Sequence, residues 1–293
     1  MKTRARMTVL GGDRREPEIA RLAAADGFDV RVYGVPAGPT PPGVVHAASA
    51  ADALRDAQVI VLPVPHMTDD LVFAPHAAAP IKLDDDLLGL VASGAVLITG
   101  AANQMLRELA ARHGIAVFEY GEDDGLKSMR GPLIAEATLE ALDEAGRRPA
   151  PGSTAAVVGL GAIGAPLVRL FAGRGVQVLA VTRSPSIVPS DLADAATDVI
   201  AFTDLRNSVS GVSHFIATTG GRAVGSDVLA ALRLDAVVAD VASPPGSFDC
   251  AGDPALSARV FWLRALGGRH PARLAAAQWQ VIRARMVECG ALR

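Results

Sequence analysis

With 293 residues the chain can form two ordinary domains, and with half of them hydrophobic and a fifth charged it can bury substantial cores. A formal net charge of −3 speaks against a nucleic-acid or anionic-membrane surface, and the 2 cysteines, Cys250 and Cys289, have neither disulfide-framework nor metal-ligand spacing. No apolar run approaches the ~18 residues of a membrane span, and the basic start Met1-Lys-Thr-Arg-Ala-Arg6 leads into a strand instead of a signal-peptide core, so a cytoplasmic protein is expected.

Along the first half, Met7 to Leu10 reads as a strand and Gly11-Gly12-Asp13-Arg14-Arg15 as the turn after it. A helix follows with Pro17 near its start; Ile19, Leu22 and Ala23 keep helical spacing, and Gly27 can end it. Further strands are expected at Val30–Tyr33, Val59–Leu62, Val96–Thr99 and Ala116–Phe118, with a Pro/Gly-rich loop at Pro36–Gly43 and a solvated helix start at Asp84-Asp85-Asp86. A helix is expected from about Pro132 to Ala145 and another from about Arg273 to Val287. Between them lie six candidate strands: Thr154–Val158, Val176–Val181, Val199–Phe202, Ser213–Thr218, Ala236–Val241 and Arg259–Leu263. Strands alternating with helices define an α/β protein of two doubly wound, parallel-sheet domains. The expected boundaries are residues 1–128 for a first domain and 129–271 for a second, with 272–293 crossing back onto the first.

The strongest motif is Thr154-Ala-Ala-Val-Val-Gly-Leu-Gly-Ala-Ile-Gly164, a strand entering a Gly-x-Gly-x-x-Gly turn and then an apolar-periodic helix through Leu167, Leu170 and Phe171. Gly159 permits the tight turn, Gly161 lets backbone approach a pyrophosphate, and Gly164 lets helix and strand pack closely. With Ala162 and Ile163 these glycines present the N–H groups of a helix start to phosphate. About 20 residues on, NAD-binding folds place Asp or Glu on the ribose 2′-hydroxyl. Here the chain reads Thr182-Arg183-Ser184, with no carboxylate to repel a 2′-phosphate and an Arg to bind one, so NADP is the expected cofactor. Thr218 and Thr219, ending the fourth strand of this domain, are expected along the dinucleotide, and Ser243-Pro-Pro-Gly246 beside its nicotinamide.

The first turn follows a strand end and opens a helix, where the guanidinium of Arg14 or Arg15 can grip a substrate carboxylate. The alternative is a local ion network of Asp13, Arg15 and Glu18 that fixes the turn. His66, after Leu62-Pro-Val-Pro65, and Asp123 and Asp124 are candidate proton-transfer groups, helix capping and solvation being the alternative for the two Asp. His46, His76, His113 and His214 have no metal spacing, and no metal is expected.

Gly11-Gly12-Asp13-Arg14-Arg15 with Glu18, Leu62-Pro63-Val64, Glu122-Asp123-Asp124, the Gly159-Leu160-Gly161 turn and Asp240-Val-Ala-Ser-Pro-Pro-Gly246 occur in one order. Together they resemble the A subunit of dipicolinate synthase over nearly the whole chain, most specifically in Gly-Gly-Asp-x-Arg-x-x-Glu. The resemblance implies a flavodoxin-like substrate domain and a Rossmann domain, as in the D-2-hydroxyacid dehydrogenases. It also implies NADP-linked oxidation of a hydroxylated tetrahydrodipicolinate to pyridine-2,6-dicarboxylate, beside a separate flavoprotein-like B subunit. Arg15 and Glu18 match its motif; Arg130, Arg269, His270 and Arg273 are further anchors, Arg273 standing where the family has Lys. A homo-oligomer is expected, with no nucleic-acid or membrane partner. Two segments depart from the family pattern, Met129-Arg-Gly-Pro-Leu-Ile-Ala-Glu136 and Leu266-Gly-Gly-Arg-His-Pro-Ala-Arg-Leu-Ala-Ala276, each lacking its usual Thr. They keep open a dehydrogenase recruited to another small cyclic imine or hydroxy acid, and the absence of an unmistakable acid–base pair keeps open a non-catalytic nucleotide-binding protein.

Overall fold

Short apolar strands buried on both faces, each followed by a helical connection, force a parallel sheet wrapped by helices. The computed structural model, which describes residues 4–64, 70–250 and 252–291, contains two such sheets in two units, Met1–Met129 with His270–Arg293 and Arg130–Arg269.

In the first unit, β1 (Arg6–Leu10), β2 (Asp29–Tyr33), β3 (Val44–His46), β4 (Val59–Val61), β5 (Val96–Thr99) and β6 (Ala116–Glu119) form one parallel sheet. Its order is β3-β2-β1-β4-β5-β6. Without β3 the remaining strands run in the 2-1-3-4-5 order of a flavodoxin-like domain. The sequence reading has no strand at Val44–His46, because three residues behind a proline loop carry too little pattern to register. The connections carry α1 (Glu16–Ala25), α2 (Ala50–Leu54), α3 (Asp85–Leu88) and α4 (Gln104–Arg112). Asp84 caps α3 by accepting the Leu87 N–H at 3.0 Å. The C-terminal helix, Pro271–Glu288, completes this unit's core: Trp279 meets Phe28 edge-on at 6.3 Å and donates its ring N–H to Asp26 at 2.9 Å.

Helix α5 (Asp124–Glu144) starts earlier than expected and runs through Pro132. Proline at the first position of a helix is favourable, which makes Pro132 look like a start. A stronger signal lies upstream, where Asp123 accepts the Leu126 N–H at 3.0 Å and so begins the helix.

In the second unit, β7 (Thr154–Val158), β8 (Gln177–Thr182), β9 (Asp198–Ala201), β10 (His214–Ala217), β12 (Val237–Asp240) and β14 (Val260–Trp262) form the second parallel sheet. Its order, β14-β12-β10-β7-β8-β9, is that of a dinucleotide-binding Rossmann fold. A small ladder pairs β11 (Val224–Gly225) with β13 (Phe248–Asp249). Helices α6 (Gly164–Ala172), α7 (Ser190–Ala195), α8 (Leu205–Ser208), α9 (Ser226–Ala231) and α10 (Pro254–Arg259) fill the connections. All six strands expected here are present with small shifts at their ends. Among the described residues no helix is long and apolar enough to cross a membrane.

Each sheet has a point where strand order reverses, between β1 and β4 in the first unit and between β7 and β10 in the second. In open α/β sheets ligands bind beyond the C-terminal strand ends at these points.

Candidate functional site

At the second unit's reversal point the chain leaves β7 through the glycine turn. Gly159 has φ +93°, and a Cβ on it would lie 2.7 Å from Thr219 Cγ2. At Gly164 a Cβ would fall 1.7 Å from the Gly159 carbonyl oxygen, so α6 seats on β7 only because that atom is missing. Gly161 differs: a Cβ there meets nothing within 4 Å. Packing within the fold therefore does not require glycine at this position. Among the described residues, the N–H groups of Leu160, Gly161, Ala162 and Ile163 take part in no backbone hydrogen bond, and Ile163 at the helix start supplies no side-chain cap. Four free donors, an uncapped nine-residue helix and open space over Gly161 fit a pyrophosphate.

Around this turn Thr218 donates to the Val158 and Gly159 carbonyls at 3.1 and 3.0 Å. The neighbouring Thr219 hydroxyl is buried without a hydrogen-bond partner among the described residues. At the end of β8, Thr182 accepts the Ser184 N–H at 3.4 Å, and Arg183 is exposed, with no ion pair among the described residues.

Sequence reasoning quoted Asp240 at the head of a segment but gave it no role. It is buried at the end of β12 and accepts three bonds: from the Ala242 N–H at 2.9 Å, the Ser247 N–H at 2.7 Å and the Ser247 hydroxyl at 2.7 Å. Trp262 secures the same loop by donating to the Ala242 carbonyl at 2.9 Å. Asp240 thereby fixes residues 242–247. The visible signal was a lone Asp ending an apolar strand before Ser-Pro-Pro-Gly. Asp240→Ala is expected to leave the buried Ser247 N–H unpaired at about 1–3 kcal/mol, with a smaller loss at the half-buried Ala242 N–H, read as a lower melting temperature for the full chain.

In the first unit the turn after β1 gathers Asp13, Arg15 and Glu16, with Tyr120 close by. Arg15 is buried and holds Asp13 with a bidentate fork, Nε to Oδ1 at 2.8 Å and Nη2 to Oδ2 at 2.9 Å. Burial works to raise the Asp13 carboxyl, but the hydrogen bonds and charge of Arg15 outweigh it and hold it below its ordinary value. The local network is real, but the expected Glu18 is not in it. Glu18 pairs instead with Arg21 at 2.8 Å, one helical turn on, and the acid in the cluster is Glu16. Its Oε2 accepts the Asp13 N–H at 2.6 Å. Burial pushes its carboxyl up to about 7, against the pull of Arg15. Tyr120, wholly buried, donates to the Leu62 carbonyl at 3.1 Å, and burial, with the charge of Glu16 added, raises its hydroxyl well above the usual phenol range.

The other candidates are scattered. Arg14 is exposed and, with Pro17, Glu18, Val32, Pro36 and His46, lines a pocket of about 220 Å³ beyond the ends of β2 and β3. Asp123 uses both oxygens, one to cap α5 and one to accept Arg285 Nη2 at 2.9 Å. Asp124 points into solvent, 3.7 Å from Lys127. Arg273 is exposed at the start of the C-terminal helix, and Arg269 is held by Glu144 at 2.8 and 2.9 Å. His66 lies outside the described residues. Among those residues no group of His, Cys, Asp or Glu is arranged to hold a metal ion.

Two doubly wound α/β units, the second with a Rossmann strand order and a free-donor glycine turn, place the chain in the structural class of the D-2-hydroxyacid dehydrogenases. The apo D-lactate dehydrogenase from Escherichia coli has this fold, with a TM-score of 0.62, 13% identity and 97% of each chain covered. Residues 6–121 match the family described as the N-terminal domain of the A subunit of dipicolinate synthase. The A subunit of the Bacillus subtilis (strain 168) synthase is 26% identical over 257 residues, covering 85% of this chain and 84% of that protein. The solved A subunit of the dipicolinate synthase from Bacillus halodurans superposes with a TM-score of 0.85 at 21% identity, over 98% of this chain and 99% of that one. Residues 6–121 thus match the model of that N-terminal domain, and the chain as a whole is similar to dipicolinate synthase A subunits.

Proposed function

We propose that this chain is an NADP-dependent oxidoreductase that oxidises a hydroxylated tetrahydrodipicolinate to pyridine-2,6-dicarboxylate. The observation that carries the cofactor half is the open space over Gly161 framed by four unbonded N–H groups. The substrate half rests on the relatives' name and on the Arg15 turn. A bound nicotinamide would supply the hydride acceptor, and the balance is completed by the substrate's hydroxyl leaving as water and one proton passing to solvent. The residues that would hold the cofactor are the Gly159–Gly164 turn for the pyrophosphate, Thr218 and Thr219 alongside it, and Thr182, Arg183 and Ser184 for the 2′-phosphate. In the first unit Arg14, Arg15 and Arg273 are the proposed anchors for substrate carboxylates, with Glu18 a further proposed contact to the substrate. Asp123, Asp124 and His66 are the proposed proton carriers. The Bacillus subtilis relative is named as one subunit of its synthase, which supports a separate partner protein, and a cytoplasmic homo-oligomer is the working arrangement. The altered segments 129–136 and 266–276 favour, as a second reading, a dehydrogenase for another small cyclic imine or hydroxy acid.

Titration with both reduced nucleotides tests the cofactor assignment. NADPH is expected to bind more tightly than NADH. Arg183→Ala is expected to weaken NADPH selectively by about 1.5–3 kcal/mol, roughly ten- to a hundredfold, the worth of a charge-assisted hydrogen bond. Equal affinity for the two nucleotides in the unmodified protein overturns it.

A further inference from the structure

The turn after β1 holds a buried carboxyl group with one oxygen unused. Glu16 is 0% exposed, and its carboxyl lies over Gly12, where a Cβ would come within 2.3 Å of Oε2. Oε2 accepts the Asp13 N–H at 2.6 Å, whereas Oε1 is buried with no hydrogen-bond partner among the described residues. A carboxylate with one donor and no access to water is poorly placed to carry a full charge. Beside it, Arg15 spends Nε and Nη2 on Asp13, and its Nη1 takes part in no hydrogen bond among the described residues. The Nη1–Nη2 edge of the guanidinium thus keeps donor capacity for a second carboxylate, on a side chain that is 9% exposed.

We propose that this turn binds a small carboxylate with uptake of one proton: the ligand docks on the open edge of Arg15, and Glu16 takes the proton on its unused oxygen. The inference rests on the reading of the first unit as the substrate unit. The charges dictate the linkage. Arg15 brings a single positive charge, and Asp13 already neutralises it. An arriving carboxylate adds a negative charge, and an ionised Glu16 would add another in a site with little water to screen it. The ionisable groups facing Glu16 are Asp13 and Arg15 from its own turn and Tyr120 from the segment after β6. The phenol stays neutral and is committed to the Leu62 carbonyl, so Glu16 is the group able to adjust. The proton comes from solvent and no other covalent bond changes. Burial has already brought the Glu16 carboxyl to about 7, so an added anion makes the uptake fall at neutral and mildly alkaline pH.

The test is calorimetric titration of the full chain, with NADPH present, by pyridine-2,6-dicarboxylate in two buffers of different ionisation heat. Both carboxylates of that probe remain ionised in the range used. Binding is expected to weaken about tenfold from pH 6.5 to 8.5, with about half a proton or more taken up per ligand at pH 7.5. Glu16→Gln, which keeps an acceptor for the Asp13 N–H but cannot titrate, is expected to bind with no such slope and no uptake. The uptake measured on the unmodified chain does not depend on how well the variant folds. Diacid binding without pH slope or proton uptake, or a slope that survives in Glu16→Gln, overturns this inference alone. No diacid binding at any pH, with NADPH binding intact, overturns the substrate reading and this inference with it.

Discussion

Gly161→Val is expected to abolish NADPH binding while leaving the melting temperature close to that of the unmodified chain. Gly164→Ala, chemically the smaller change, is expected to lower both. The contrast comes from what each added carbon would meet. At Gly161 there is nothing within 4 Å, so the branched side chain costs the fold little and stands where the pyrophosphate would approach the backbone. At Gly164 the methyl would sit 1.7 Å from the Gly159 carbonyl oxygen, a backbone atom that cannot turn aside. Relief requires α6 to lift from β7, and overpacking of this kind costs about 1–3 kcal/mol or more. Lifting the helix also moves its free N–H groups away from the phosphates. Isothermal titration with NADPH and thermal melts of the two variants separate the cases. Nucleotide affinity unchanged in Gly161→Val would place the phosphates elsewhere, and an unchanged melt for Gly164→Ala would mean the helix does not depend on that close contact.

The glycine turn could be read from the sequence because each of its constraints is local. A strand, a turn and a helix follow one another in the chain, and the missing side chains are visible as letters. The same holds for the six strands of the second unit, whose apolar runs are bounded by turn residues. What escaped depends on groups brought together from far apart. Val44–His46 became a strand because β2 offers it a partner edge, a fact about Val30 and Val32 more than about its own three residues. Helix α5 passes through Pro132 because Asp123, capping upstream, starts it sooner. Glu16 is the clearest case. In sequence it is an acid in the first turn of a helix, next to Pro17, where solvated carboxylates are favoured by the helix dipole. Its burial comes from Gly12, four residues back, and from Tyr120, a hundred residues on. The ion network offered as the alternative for this turn differs from the observed one in its second acid, since Glu18 faces Arg21 along the helix surface. The pair Gly12 and Glu16 was the one available signal, a glycine leaving room for a side chain one helical turn away.

Glu16→Gln is also expected to change stability, in a manner set by pH and independent of any ligand. The ordinary glutamate value is 4.5, and in the folded chain burial pushes Glu16 to about 7. Below 4.5 the folded and unfolded chains both hold the proton, and the group contributes its full share of stability. Between these values the folded chain holds the proton more firmly than the unfolded one, so stability falls as pH rises. Above about 7 both forms are ionised and the loss is complete, at about 3 kcal/mol for a shift of this size. Glutamine carries no proton to lose. The variant is therefore expected to differ least from the unmodified chain near pH 5 and to melt several degrees higher at pH 8, at roughly 2–4 °C per kcal/mol. Differential scanning calorimetry at the two pH values measures the difference. An equal effect of the substitution at both would mean that Glu16 remains ionised in the folded chain throughout. The neighbouring charges would then have to compensate its burial, and Arg15, spending its fork on Asp13, would be holding two acids at once.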